Sequence, residues 1–373
     1  MKLTKFFALL CAVLGFVACG NDSGITPVGD ITLLPSKTSV AIGEVVTFKV
    51  ADANGQDVTS VATIYTDSFV VVEKAQFKAE QSGTYSFFAT VNDKTSPYVD
   101  VNVLAEMPTV PADPDATNTK FNHRVVLIDH TGINCPACPY AMDLLAEINA
   151  HEILGKHVNE VTCHAGGYAP AGIDPAYSPA ASNLNKFHTQ KITGYPCVVV
   201  NLYGINLWDK TVLDIGEAIY SAVKVDGADV GISMAVDGDS NTILCAAEIK
   251  SAVTKEYKVN AWMLESNING KGQAGATKPE HRIFNHALRN TSEKITNTDV
   301  QGRSIGVLEA GQTFTYEGTI PVSKDSWNWE NMGVLVIVSA QDAQGRWEIV
   351  NSAYCKVGES KPYEYWVEDV VEE

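Results

Sequence analysis

The run Val125–Tyr140, V-V-L-I-D-H-T-G-I-N-C-P-A-C-P-Y, constrains this chain more than any other segment. Val125 to Ile128 is apolar on both faces, as a strand inside a parallel sheet must be, because helices cover it on either side. Gly132 breaks the strand, and two cysteines follow with two residues between them. Beyond Cys138, the residues Ala141, Leu144, Leu145 and Ile148 recur at helical spacing, so a helix opens at the cysteine pair. Unpaired N–H groups and the helix dipole there favour thiolate over thiol at Cys135. Cys138, one turn further in, should be shielded. One exposed nucleophilic sulfur beside one shielded, resolving sulfur is what dithiol–disulfide exchange requires.

Two further features belong with the pair. Ile192–Asn201 reads I-T-G-Y-P-C-V-V-V-N, an apolar strand entered through Pro196. Asp129 stands six residues before Cys135 inside the apolar strand, where a carboxylate is costly to bury without a task or a partner. It either manages a proton near the sulfurs or simply begins the loop at the strand end. Val212, Ile215, Ile219, Ala222 and Val223 form one stripe of a closing helix. Residues 120–227 therefore read as an α/β domain.

The flanks read differently. Residues 31–105 show alternating Val46, Phe48, Val50 and Tyr85, Phe87, Ala89 around an Asn54-Gly55 turn, which predicts a β-sandwich resembling bacterial immunoglobulin-like modules. Residues 106–119, with their prolines, Asp113 and Asp115, read as a linker. Residues 228–358 revert to strands, among them Ile232–Val236, Ile243–Ile249, Val334–Val338 and Trp347–Val350, which predicts a second, C-terminal β-sandwich with a loop-rich stretch over 267–311. Residues 359–373 hold six acids against one lysine and read as a solvated acidic tail. The expected class is multidomain α/β plus all-β.

The first eighteen residues read as a signal peptide, with Lys2 and Lys5 before the apolar run Phe6–Ala18. That run is too short to cross a hydrocarbon core of about 30 Å as a helix. Phe16-Val17-Ala18-Cys19-Gly20 resembles a bacterial lipobox, making Cys19 the expected lipidation site and 19–30 a tether; plain secretion after Ala18 is the alternative. Several acyl chains would anchor the protein to a membrane, where one would not. A formal charge of -17 repels phosphate backbones, so no nucleic-acid partner is expected. Outside the cytoplasm each remaining cysteine is a candidate disulfide partner. Cys245 and Cys355, on alternating strands of the last domain, form a candidate structural disulfide, whereas Cys163 and Cys197 read as small core residues. Cys163-His164 beside the Cys pair raises zinc or copper(I), but no metal and no small-molecule cofactor are expected.

The Cys-Pro-Ala-Cys pair with Tyr195-Pro196 resembles the two halves of a thioredoxin site. That resemblance implies Cys135 as the attacking or attacked sulfur, Cys138 as the resolving one and Asp129 as its general base. It also implies a cis Pro196, with the Tyr195 backbone free to pair with a substrate strand. Asn134 replaces the usual Trp and Pro-Ala replaces Gly-Pro, so the direction of electron flow stays open. An excess over a minimal thioredoxin, 165–179, brings Tyr168 and Tyr177 into view as walls of the site, unless it is a plain surface loop. The lipobox, T-G-x-x-C-x-x-C-P at Thr131–Pro139, W-M-L-E at Trp262–Glu265 and N-H-A-L-R at Asn285–Arg289 together resemble the outer membrane protein 28-related lipoproteins over residues 120–358. The histidines and arginine of that last region are expected to form a hydrogen-bonded structural knot more than an anion site. The resemblance implies a cell-envelope protein, lipid-anchored to the outer membrane and facing either the periplasm or the surface. Two functions follow: thiol–disulfide exchange on envelope or secreted proteins, or a non-catalytic surface lipoprotein using the thioredoxin-like domain as a scaffold.

Overall fold

The computed structural model describes residues 27–104, 106–190, 192–203, 211–224, 226–324 and 326–367; the leader and Cys19 lie outside the described residues. The chain divides into two compact units, Met1–Leu104 and Ala105–Glu373.

The first unit contains β1 (Thr32–Pro35), β2 (Ser39–Ala41), β3 (Val45–Ala51), β4 (Thr63–Thr66), β5 (Gln76–Lys78), β6 (Gly83–Val91), β7 (Lys94–Thr95) and β8 (Val99–Leu104). They form two sheets, ordered β1-β3-β5 and β2-β8-β6-β4, with β7 paired to β6. Alternation places Val46, Phe48 and Val50 in a core shared with Phe87, Ala89 and Val101 of the other sheet. The rings of Phe48 and Phe87 meet at 4.8 Å between centroids.

The second unit begins with β9 (Val125–Thr131), α1 (Cys138–Ala150), β10 (Val158–His164), α2 (Pro179–Phe187), β11 (Cys197–Val200) and α3 (Val212–Ala222). β10 runs parallel to β9 and β11 antiparallel. Each helix has a physical start. Ser178 caps α2 by accepting from Ala181 N with Pro179 next, and Thr211 and Asp214 form a capping box on α3. α1 starts at Cys138 itself, with Pro139 in its first turn, so Cys135 lies in the approach and not in the helix.

Then follow β12 (Val230–Gly238), β13 (Thr242–Ser251), β14 (Lys255–Glu265), β15 (Ile268–Asn269), β16 (Ile283–Phe284), β17 (Ala287–Thr291), β18 (Arg303–Leu308), β19 (Thr313–Pro321), β20 (Met332–Gln341), β21 (Trp347–Lys356) and β22 (Ser360–Lys361). The separation expected near residue 227 is absent, because one sheet runs β11-β9-β10-β17-β14-β20-β21, with β18 also paired to β14. β17 joins β10 in parallel at Thr162 and Ala287, and pairs β14 through Leu264 and Leu288. The W-M-L-E and N-H-A-L-R motifs are thus neighbouring strands, and β17 covers an edge of β10 that would otherwise stay unpaired. Sequence spacing could not show the β10–β17 pairing, since Thr162 and Ala287 lie more than a hundred residues apart.

Strand alternation sorts the long sheet into two faces. Val126, Ile128, Val161 and Cys163 share a core with Trp262, Leu264, Leu335 and Ile337 beneath α2. Val125, Leu127, Val198 and Val200 pack on α1 and α3. Further along, Val259, Ala261, Met263 and Val334 pack against the second sheet, β19-β13-β12-β22.

Two expected loose segments are ordered. The expected linker straps over β13, where the Lys250 ammonium bonds Asp113 at 2.9 Å, Ala116 O at 2.7 Å and Asn118 O at 3.1 Å. A buried lysine must find such partners, and the strap supplies three. The described part of the acidic tail pairs β22 with β12, buries Tyr363 and joins Glu364 to Arg124 at 2.7 Å. Glu364 is held down to about 2; burial opposes this and the Arg124 hydrogen bond and charge overcome it.

Candidate redox site

Gly132 turns the chain out of β9 by fitting against the Tyr168 backbone, where a Cβ would lie 2.5 Å from the carbonyl. Asn134 N donates to Tyr168 O at 3.0 Å, and Ile133 N donates to the Asp174 carboxylate at 2.8 Å. Cys135 N then closes a turn on Gly132 O, and Cys135 and Cys138 are joined as a disulfide. Sulfur exposure departs from expectation. Cys135 is 1% exposed and Cys138 0%, although Asn134, Pro136, Ala137 and Tyr140 around them are exposed.

The cover comes from the loop-rich stretch of the C-terminal region. Ala274 N donates to Ile133 O at 2.8 Å, and the Gln273 amide donates to Cys135 O at 2.9 Å. Gly275 follows at φ +70°, where a Cβ would lie 2.0 Å from Pro136 O, so this backbone approaches the dithiol loop as only glycine can. Pro136, Tyr140, Pro196, Gly275, Thr277 and His281 line one groove of about 570 Å³. The dithiol loop and Pro196, some sixty residues apart in sequence, therefore share a surface.

The Tyr195–Pro196 bond is cis. Tyr195 Oη accepts from the Asn185 amide at 2.6 Å, and burial pushes its phenol up to about 12. Tyr168 packs on Tyr195 with ring centroids 5.4 Å apart, whereas Tyr177 sits at the far end of the same loop, closing a turn on Asp174 O. Neither Tyr168 nor Tyr177 lines the groove itself.

Asp129 lies mid-strand, opposite Thr162 on one side and Val198 on the other, so it does not begin a loop. It is 1% exposed, and its Oδ1 has no hydrogen-bond partner. Burial first, and the charge of Glu160 second, hold its carboxyl well above the usual range.

Sequence reasoning missed a buried relay behind Tyr195. The second Asn185 N–H faces His130 Nδ1 at 3.2 Å, His130 Nε2 faces His188 Nδ1 at 2.9 Å, and His188 Nε2 faces Leu202 O at 3.1 Å. Because the final acceptor is a carbonyl, every proton along the chain has an assigned donor with both imidazoles neutral. Burial and His188 hold His130 well below its ordinary pKa, in agreement with that assignment. A histidine next to Asp129 was the available signal, pointing to the opposite face of the strand. His164 was likewise visible but not its partner: Nδ1 bonds Asp174 at 3.0 Å, fixing the long loop. Cys163 and His164 point to opposite faces of β10, which separates the thiol from the imidazole of the metal reading. Cys245 and Cys355, offered as a disulfide, are free buried thiols of one core. Burial raises both, Cys355 to about 11. Arg289 is bound by Glu265 at 2.7 Å and Pro175 O at 2.8 Å, the arginine part of the expected knot, whereas His286 Nδ1 has no hydrogen-bond partner.

Residues 185–361 match the family described as Outer membrane protein Omp28. Among solved structures, HBP35 of Porphyromonas gingivalis is similar with a TM-score of 0.53 and 20% identity, over 69% of this chain and 81% of that one. This likeness establishes a shared fold. The Yersinia pseudotuberculosis adhesin InvE aligns at a TM-score of 0.16 and 8% identity over 88% of this chain and 58% of that one, too loosely to carry an argument. No curated protein matches. The arrangement is thus a thioredoxin-type fold with a closely spaced cysteine pair, consistent with thiol chemistry.

Proposed function

We propose that this chain is an outer-membrane-associated lipoprotein, anchored through Cys19, that exchanges disulfides with envelope or secreted proteins. The observation carrying this reading is the shared groove of the Cys135–Cys138 loop and cis Pro196. In the oxidised form a partner thiolate attacks Cys135 Sγ, forming the mixed disulfide as the Cys135–Cys138 bond breaks. Cys138 leaves as thiolate and takes the proton that Asp129 holds; a second partner thiol then attacks the partner's own sulfur, gives its proton to Asp129 and releases Cys135 as thiolate. The partner dithiol is oxidised by two electrons and the Cys pair reduced. Tyr195 and Pro196 hold the partner strand, and Tyr168 borders it. Exchange requires the Gln273–Gly275 segment to move, since it covers Cys135.

That cover favours a second reading, in which the bridge is static and the domain a scaffold. Replacing Cys138 with Ala in the native envelope separates the two. Partners trapped on Cys135 and released by reductant support exchange. Persistent absence, with a dithiol potential below about -300 mV, supports the static bridge.

A further inference from the structure

Behind the dithiol helix lies a second, half-open cavity of about 410 Å³, walled by α1, by β9 and β10, and by residues 278–286. Its size falls within the range of small-molecule sites, roughly 300–1,000 Å³. The inner end is acidic. Asp129 and Glu160 project into it from adjacent strands, on the face toward α1. Asp129 Oδ1 is buried without a partner, a cost that a folded protein bears where the group has work, either a proton to pass or a ligand to meet.

The nearby cations do not answer this charge. Lys278 and His281 both bond Asp143 at the mouth, at 2.9 and 3.0 Å. His281 Nδ1 accepts from Thr277 N, so its Nε2 carries the donated hydrogen and the ring is neutral. His286 Nδ1 stands 3.9 Å from Glu160, outside hydrogen-bond reach, and likewise has no hydrogen-bond partner. Glu160 accepts a hydrogen bond from the Asn149 amide at 2.7 Å, with His286 close enough to act on it by charge only. Met142, Ala146, Ile283 and Phe284 supply an apolar part of the wall, and Thr131, Thr162 and His164 line it from the strands.

We infer that this cavity binds a small primary amine with an apolar body, its ammonium group between Asp129 and Glu160 and its hydrocarbon along Met142 and Phe284. An ammonium supplies up to three donors to acceptors that lack them, and its charge relieves the mutual opposition of the two carboxyls. In the free protein, burial and Glu160 push Asp129 toward its neutral form, and a bound cation removes that opposition. A carboxylate or phosphate ligand would meet the same two acids and be repelled. The site uses no sulfur atom, but it shares Asp129 with the proposed exchange, so a bound ammonium would compete with the proton that Asp129 passes to Cys138.

The test is calorimetric titration of the oxidised full chain with phenethylamine, phenethyl alcohol and 3-phenylpropionate. The amine is expected to bind at least tenfold more tightly than the alcohol, and the acid not at all. Asp129→Asn should weaken the amine at least tenfold while leaving the alcohol unchanged. Ala146→Phe, at an exposed helix position on the cavity wall, should abolish binding of both and keeps the test valid should Asp129→Asn fail to fold. No amine binding at millimolar concentration, or equal binding of amine and alcohol, would overturn the inference. So would amine binding that survives Ala146→Phe. None of these outcomes bears on mixed-disulfide trapping at Cys135.

Discussion

The two faces of β9 and β10 bury polar groups in opposite ways. Toward α2, His130 is matched donor to acceptor through Asn185, His188 and Leu202 O, and Cys163 donates to Ala181 O at 3.0 Å. Toward α1, Asp129 and Glu160 face a cavity, and Asp129 Oδ1 has no partner at all. A matched buried network specifies structure; an unmatched group costs stability and persists where it has work. The difference also sets opposite responses to pH. His130 is held below its ordinary value, so unfolded chains take up its proton first and stability falls on acidification below about 6.5. Asp129 is held above its ordinary value, so unfolded chains lose its proton first, and stability falls as pH rises above about 4 toward the folded value.

The largest effect should come from breaking the matched face. His130→Ala leaves the Asn185 and His188 groups unpaired in the core, and should cost about 3 kcal/mol in chemical denaturation. A loss under about 1 kcal/mol would mean that the relay is ornamental. Sharpening the other face runs in the opposite direction. Asp129→Asn should raise stability at pH 7–8, by about 1.4 kcal/mol for each unit by which the folded carboxyl exceeds its unfolded value. It should also flatten the decline above about pH 4; an unchanged slope would show that Asp129 is ionised in the fold.

Smaller still is the expected effect at the cover. Gly275→Ala places a methyl group against Pro136 O and should lift the segment, at a cost of about 1 kcal/mol. Reduction of Cys135–Cys138 by dithiothreitol should then quicken several-fold, and an unchanged rate would mean that the cover does not limit access. The smallest is a null result. Cys163, Cys197, Cys245 and Cys355 should resist maleimide in the native, oxidised protein and react after denaturation, since all four are buried thiols outside the Cys135–Cys138 disulfide. Labelling of Cys245 or Cys355 without denaturant would show that the C-terminal core opens.

Much of this was legible in the residues. The both-face apolar run at Val125–Ile128 could only be a central strand, the Ala141–Ile148 stripe could only be a helix, and together they fix where Cys135 and Cys138 stand. The Asn54-Gly55 turn falls where expected, with its glycine at positive φ. The cover was not legible. Gln273 reaches Cys135 across 138 positions, and no local period carries such information. The tail and linker misled because acids and prolines read as solvated, whereas Lys250 and Arg124 gave them partners inside the fold.

By itself, then, the sequence determined the local elements, the facing of each strand and the chemistry of the Cys pair, because period and side-chain type act over a few residues. Only the tertiary structure decided that one sheet joins both halves through β17, that Gln273–Gly275 packs on the backbone of the dithiol loop, and which buried groups find partners. Those outcomes depend on which distant segments meet, and a buried donor or acceptor is satisfied or orphaned only when they do.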